Sequence, residues 1–452
     1  MRQTTILRIL CICICIFTFQ PTMAQQEELY ERDTTYNLDV PKGSVEVLEL
    51  KKGYILGKGI TFLSSKGILN INQTFQTAYL VNSSNKDLSA PISAFDIPRA
   101  RLNFFANVLE RKLSVLARLN FASNYNSVTG GKRSFNNVLQ EAVIEYNPNS
   151  KHIINFGLRA DYIDTREVRF EGESNSFINR SAVSNSFDAI FDYGIRYKGN
   201  YKLGGKHLLR PFLSLTTGDS RSSLQTNFGG FKYGVRLDYL PFDKFNRGGE
   251  YYLDDLYREE KPKLVVGLIY SYNDGASSSR GTNGGRWLYG DATREIVLPS
   301  YKRFGADYLF KYNGWYSLGN FVSTTSTVPN GIIGEYRLDG SFSTYPLTQT
   351  AEETKTTVLS RLNLGSGFNI QAGYLFYSNW AFGARYSTLS QNIISANFAD
   401  QNRYYTFVTT KYLSENNLKI QFEVGYDKSQ YALRTATQTG NYHAQLQFTI
   451  QL

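Results

Sequence analysis

The chain has 452 residues, a formal net charge of +10 and a mean hydropathy of −0.34. It is rich in tyrosine (33) and phenylalanine (30) and poor in proline (11) and methionine (2). The length is too great for one ordinary soluble core, and no linker-like shift in composition divides it. Cys11, Cys13 and Cys15 all fall within the first 24 residues, which excludes a disulfide framework or a cysteine metal site beyond them.

Residues 1–24 read as a secretory signal peptide. Arg2 and Arg8 precede and flank the apolar run ILCICICIFTF, and Thr22 and Ala24 supply a small-residue cleavage site. Leu10, Ile12 and Ile14 precede the cysteines where a lipidation site would carry a small residue. Residues 25–66 are charged and sparse in apolar side chains, and read as a short N-terminal periplasmic extension. They are too few for the plug domain of an energised nutrient receptor.

From residue 67 to 452 no run reaches the ~20 apolar residues of a membrane-spanning helix. Period-two alternation recurs instead. After a first strand near 68–81, Ala100, Leu102, Phe104, Ala106 and Val108 share one face against Arg99, Arg101, Asn103 and Asn107. Leu113, Val115, Ala117, Leu119 and Phe121 follow, opposed by Ser114, Arg118 and Asn120. Weaker candidates lie near 139–146, 152–159 and 207–216. Phe191, Tyr193, Ile195 and Tyr197 oppose Asp192, Gly194, Arg196 and Lys198. Phe231, Tyr233, Val235, Leu237 and Tyr239 repeat the device against Lys232, Gly234, Arg236 and Asp238. Segments near 263–272, 303–312, 315–322, 369–376, 380–387, 403–412 and 418–426 lead to Tyr442–Leu452, which alternates to its last residue.

Sixteen strands at roughly 27 residues per strand and connection fit an all-β, closed transmembrane antiparallel barrel with short turns at one end and longer loops at the other. Soluble sandwiches and propellers also alternate. Tyrosines at the ends of the apolar faces and charges at the centres of the polar ones favour the barrel. A sheet spanning lipid must close, since an open edge leaves backbone N–H and C=O groups unpaired in hydrocarbon. The terminal strand is therefore expected to pair with the first.

Several segments resemble the phosphate-selective porins of the O/P type: GKGITFLSSKGILNINQTFQTAYLV, IPRARLNFFANVLERKLSVLARLNFA, LQEAVIEYNPNSKHIINFGLRADYID and INRSAVSNSFDAIFDYGIRYKGNY. The resemblance covers about residues 57 to 452 and is strongest before 245. It implies a sixteen-stranded outer-membrane barrel, usually a homotrimer, with one loop folded into the lumen. In some members basic residues lining the pore select phosphate. The loop between the fifth and sixth strands (160–187) is the constriction candidate. It offers Arg166, Arg169 and Arg180 but also Asp161, Asp164, Glu167, Glu171 and Glu173, a more balanced set than strong phosphate selection calls for.

The alternation itself assigns a lumen face. Its basic candidates are Arg99, Arg101, Arg118, Arg159, Arg196, Lys198, Lys232, Arg236, Arg303, Lys311, Arg385 and Arg403, with Lys411 and Lys419 beyond them. Glu141, Glu145, Asp192, Asp238, Asp307 and Glu423 share that face. Excess positive charge in a water-filled channel concentrates anions and repels cations, and the arginine fork suits phosphate. The competing reading is that arginine–carboxylate ladders simply brace the wall, with Asp192–Arg196 and Arg236–Asp238 as local pairs. On the pore-lining reading, Arg196→Glu or Arg236→Glu would lower anion preference without unfolding the barrel.

The expected partners are outer-membrane lipid and lipopolysaccharide, small anionic solutes such as phosphate, and two further copies of the chain. Nucleic acid is not among them, because the basic residues are spread across alternating strands. Only His152, His207 and His443 are present, and no G-x-S-x-G, H-E-x-x-H or P-loop occurs. The sequence therefore points to no enzyme, cofactor or metal. A plugged, non-channel barrel whose surface loops bind a partner is the alternative to a passive channel.

Overall fold

The computed structural model describes residues 45–47, 56–64, 66–83, 91–109, 112–122, 138–218, 228–278, 287–337, 339–391, 401–430 and 438–452. The expected signal peptide and most of the expected extension lie outside these residues, as do residues 279–286 of YNDGASSSRGTNGGRW (272–287), a glycine- and serine-rich segment whose composition reads as part of a long extracellular loop.

Sixteen strands form the wall: β1 (Gly67–Ser83), β2 (Ile92–Val108), β3 (Leu113–Asn120), β4 (Leu139–Asn149), β5 (His152–Ala160), β6 (Phe191–Gly199), β7 (His207–Thr216) and β8 (Lys232–Leu240). They continue as β9 (Lys263–Asn273), β10 (Ser300–Tyr312), β11 (Trp315–Thr327), β12 (Gly365–Leu375), β13 (Trp380–Gln391), β14 (Gln401–Ser414), β15 (Leu418–Gln430) and β16 (Gln438–Gln451). Each pairs antiparallel with the next in sequence, and β16 returns to β1, with Thr449 opposite Gln76 and Ile450 opposite Phe75. The result is a closed, sixteen-stranded antiparallel β-barrel.

The seam shows why the terminal strand is polar on one face and apolar on the other. Gln445, Gln447 and Thr449 point into the lumen and are buried, while Leu446, Phe448 and Ile450 between them face outward. Gln76 Nε2 donates to Thr449 Oγ1 at 3.0 Å across the seam. The main chains of Gln73 and Leu452 exchange both hydrogen bonds, at 2.7 and 3.0 Å. Deleting residues 448–452 is expected to leave β1 and β15 with unpaired edges. The compact species that resists unheated detergent gels should then be lost; a truncated chain that kept it would show that the seam is dispensable.

The barrel is inverted relative to a soluble protein. Its outward face exposes Ile144, Phe156, Ile195, Val235, Leu268, Phe304, Phe321, Ile370 and Phe407, while Gln76, Asp192, Arg236, Asn369, Gln421 and Thr449 are buried inside. Aromatic rings cluster at two levels of the outer face. Near the short turns, Trp315, Tyr374, Phe376 and Phe382 are in ring contact at 4.7–5.8 Å. At the opposite level, Tyr386, Tyr405, Tyr426 and Tyr442 run across four adjacent strands. Such belts place amphipathic rings at the two lipid–water interfaces.

Six of the connections at one end span two to seven residues each: 109–112, 150–151, 200–206, 313–314, 376–379 and 415–417. The seventh, 241–262, is an outlier considered below. Ahead of β1, a strand Ile60–Ser64 folds back on Gly67–Ile71, and Val45–Val47 pairs with it in turn. Part of the expected extension is thus strand. Above the long-loop end, segments Leu288–Gly290, Ile296–Val297, Gly334–Tyr336 and Phe342–Thr344 form a separate small sheet.

Candidate functional site

The connection from β5 to β6 turns into the lumen and fills one side of it. It carries a 3-10 turn, Arg166–Arg169, and a short helix α1 (Ala182–Phe187), whose Ser181 caps the Ser184 N–H. Val183 and Phe187 of α1 pack on Val322 of β11 and Leu389 of β13. Buried ion pairs fix the rest. Asp307 accepts from Arg166 Nε (3.1 Å) and from both terminal nitrogens of Arg236 (2.7 and 2.8 Å), while Asp238 accepts from Arg166 (2.8 Å), Arg169 (2.7 Å) and Arg236 (2.7 Å). Arg303 grips Asp164 and Asp188, at the two ends of the loop. A Cβ at Gly267 would lie 2.4 Å from Arg236 and 2.7 Å from both Asp238 and Asp307, so only glycine on β9 leaves space for this cluster.

The outlying connection 241–262 enters from the other end. Its turn Asn246–Tyr251 passes through positive φ at Arg247 (48°) and Gly248 (68°). Lys311 Nζ donates to the carbonyls of Gly249 (2.7 Å) and Asp254 (2.8 Å), Arg210 pairs with Glu250 at 2.6 Å, and Tyr412 donates to Asp254. The two inserted segments touch where the Leu253 N–H donates to the Ser174 carbonyl at 3.2 Å. Phe170 and Phe177 from one, and Phe245 and Leu253 from the other, share an apolar cluster with Leu208, Leu240, Val265, Leu309, Leu318 and Val408 of the wall. One side of the lumen is therefore a packed core. Sequence reasoning missed the second segment; its signal was a 22-residue connection between strands whose neighbours are joined by a few residues.

Against the wall formed by β2–β6 a cavity of about 290 Å³ remains, lined by Arg101, Arg118, Arg159, Arg169, Arg180 and Lys198 and by Glu141, Glu145 and Glu171. Six cationic side chains face three carboxylates. Arg118 is held by Glu141 (2.7 Å) and Glu171 (2.8 Å), Arg101 by Glu173 (3.1 Å), and Arg159 by Glu145 (3.3 Å). Among the described residues, Arg99, Arg180 and Lys198 form no ion pair. Arg99 donates to Gln76 and lies against Gly172, where a Cβ would meet its guanidinium at 2.1 Å. Arg180 donates to the Phe170 carbonyl (3.2 Å), and Lys198 to the Tyr251 hydroxyl (3.1 Å). The Glu171 side chain keeps 47% of its surface open. Burial beside the wall would raise its carboxyl, but Arg118 and Arg101 outweigh this and hold it low, at about 2. Its charge persists throughout the neutral range.

The remaining sequence candidates divide by location. Arg196 (with Asp161 at 3.3 Å), Lys232 (with Asp161 at 3.5 Å and Asp192 at 3.8 Å), Arg236 and Arg303 are buried behind the inserted loop, as is Arg166 within it. Lys311 is buried against 241–262. Arg385 donates to the Asn179 carbonyl at 2.7 Å and lies 3.7 Å from Glu167. The expectation for Arg196→Glu and Arg236→Glu must accordingly be revised: both guanidinium groups sit among buried carboxylates, so reversal sets like charges together and breaks the packing. Arg403 and Lys411 are not on the lumen face. On β14, Thr406, Val408, Thr410 and Tyr412 are the buried, inward side chains, and the register turns Arg403, Tyr405, Phe407 and Lys411 outward. Both faces of this strand carry aromatics, so alternation alone did not fix its direction.

No protein-family model matches the chain, and no curated protein matches it. Similar folds among solved structures include the anion-selective porin from Comamonas acidovorans, at 9% identity, covering 86% of this chain and 100% of that one, with a TM-score of 0.48. The outer membrane channel DcaP of Acinetobacter baumannii is 10% identical over 88% of this chain and 100% of its own, with a TM-score of 0.47. Salmonella typhi OmpF in complex with daunomycin is 11% identical over 86% and 98%, with a TM-score of 0.48. Identities this low transfer no site residue.

Proposed function

We propose that this chain is a porin of the bacterial outer membrane, exported with removal of residues 1–24. On this reading small solutes diffuse passively along the open side of its lumen, with a preference for anions, phosphate among them, and three copies associate. The supporting observation is the cavity beside β2–β6, where six cationic groups meet three carboxylates and, among the described residues, Arg180 and Lys198 are without an ionic partner. Fixed positive charge between low-dielectric walls raises anion concentration without a bound cofactor or a chemical step. The resemblance to phosphate-selective O/P porins points the same way.

The test is single-channel conductance of the purified protein in planar bilayers, with the reversal potential read under a KCl gradient. An anion-selective potential, reduced in current by added phosphate, is the expected result; cation selectivity would refute the charge argument. The second reading, a plugged barrel whose loops bind a surface partner, draws on the lumen filled from both ends and on the folded sheet above the long loops. Absence of any conductance would favour it.

A further inference from the structure

The cations that the register turns outward form a site of their own. Arg403 of β14 and Lys428 of β15 are directly opposed across one antiparallel pair. Phe407 and Tyr405 share the outward face with Arg403, and Tyr426, opposite Tyr405, shares it with Lys428. Directly opposed residues lie about 4.5–5.5 Å apart at Cα, and two like charges so placed destabilise a sheet unless an anion joins them. Among the described residues neither cation forms an ion pair or a hydrogen bond, and each has only uncharged cross-strand neighbours on its other side, Thr388 for Arg403 and Gly440 for Lys428.

Their height on the wall identifies the anion. Tyr386, Tyr405, Tyr426 and Tyr442 form the belt nearest the long loops, with ring separations of 5.2, 6.5 and 4.7 Å. Gly440 makes room for it, since a Cβ there would come within 2.8 Å of the Tyr426 ring. Arg403 and Lys428 each stand two residues beyond this belt toward the long loops, about 7 Å further along the strand. Aromatic belts mark the headgroup boundary, so the pair sits at the depth of lipid phosphates, on the leaflet facing the long loops. An arginine fork beside an ammonium suits a phosphate monoester, the fork binding two oxygens and the ammonium a third.

We propose that Arg403 and Lys428 bind a phosphate group of a phosphorylated outer-leaflet glycolipid, with the four tyrosines packing against its apolar part. The proposal rests on the outer-membrane location but not on conduction. The test compares wild type with the R403Q/K428Q double variant in lipid discs containing lipopolysaccharide or its enzymatically dephosphorylated form, reading retained lipid by native mass spectrometry. Wild type should retain the phosphorylated lipid at least tenfold better than the variant, and the difference should vanish with the dephosphorylated lipid. Equal retention by both proteins, or displacement of the lipid by millimolar inorganic phosphate, would overturn it. Conductance of the double variant should match wild type. A chain that retains the lipid but conducts nothing would overturn the porin reading and leave this one standing.

Discussion

Asp307→Ala is expected to release the inserted loop from the wall. The carboxylate accepts from the Arg166 backbone N–H and from the side chains of Arg166 and Arg236. All three side chains are buried, and removing it leaves the guanidinium groups of Arg166, Arg169 and Arg236 with Asp238 as their shared carboxylate. Breaking a buried ion pair by deleting one partner costs about 3–5 kcal/mol, and here the loss falls on the attachment of 161–187 more than on the strand ladder. Limited proteolysis should cut within that loop in the variant and not in wild type, and single-channel conductance should rise as the packed side of the lumen opens. Asp307→Asn, which keeps an acceptor, should fall between the two. An intact loop and an unchanged conductance in Asp307→Ala would show that the ion cluster does not hold the plug.

Charge reversal on the open side should act on selectivity alone. Arg180→Glu changes six cations against three carboxylates to five against four, and it removes no ion pair. A two-unit change at about 6 Å in water amounts to ~1.4 kcal/mol, a tenfold change for one ion and the inverse for its counterion. Screening at 0.1 M salt, with a Debye length of about 10 Å, reduces this to severalfold. The anion-to-cation permeability ratio, which compounds the two changes, should therefore fall about tenfold while detergent-resistant migration stays unchanged. Arg403→Glu, on the outer face, should leave the ratio where it is. A ratio unaffected by Arg180→Glu would remove that side chain from the conduction path.

The strand count, the order and the closing seam were legible because lipid on one side and polar groups on the other impose a period of two that no loop can disguise. Lumen-facing arginines on β2, β3, β5 and β6 were legible for the same reason. The sequence does not say which of them meet water, because that depends on loops that return from far along the chain. Arg236 and Arg118 look alike as inward arginines at strand centres, yet Asp307 and the 161–187 loop bury the first while the second lines the cavity. Asp161, Asp164, Glu167, Glu171 and Glu173 suggested a weakly selective constriction. Asp161, Asp164 and Glu167 are buried inside the packed side and Glu173 is buried against Arg101, leaving Glu171 as the loop's carboxylate on the cavity lining. On β14 aromatic and threonine side chains occur on both faces, so the alternation there had no preferred reading.

The seam between β16 and β1 also bears on how the molecule is made. Gln76 and Thr449, which touch across it, are separated by 373 positions in the chain, so the first strand of the wall must wait for almost the whole polypeptide before residues 74–83 are covered on their second edge. Non-local pairing of this kind is slow and leaves a sticky intermediate. Biogenesis thus ends in a single locking event, and a cell carrying this protein needs a means of shielding one open edge until that event occurs.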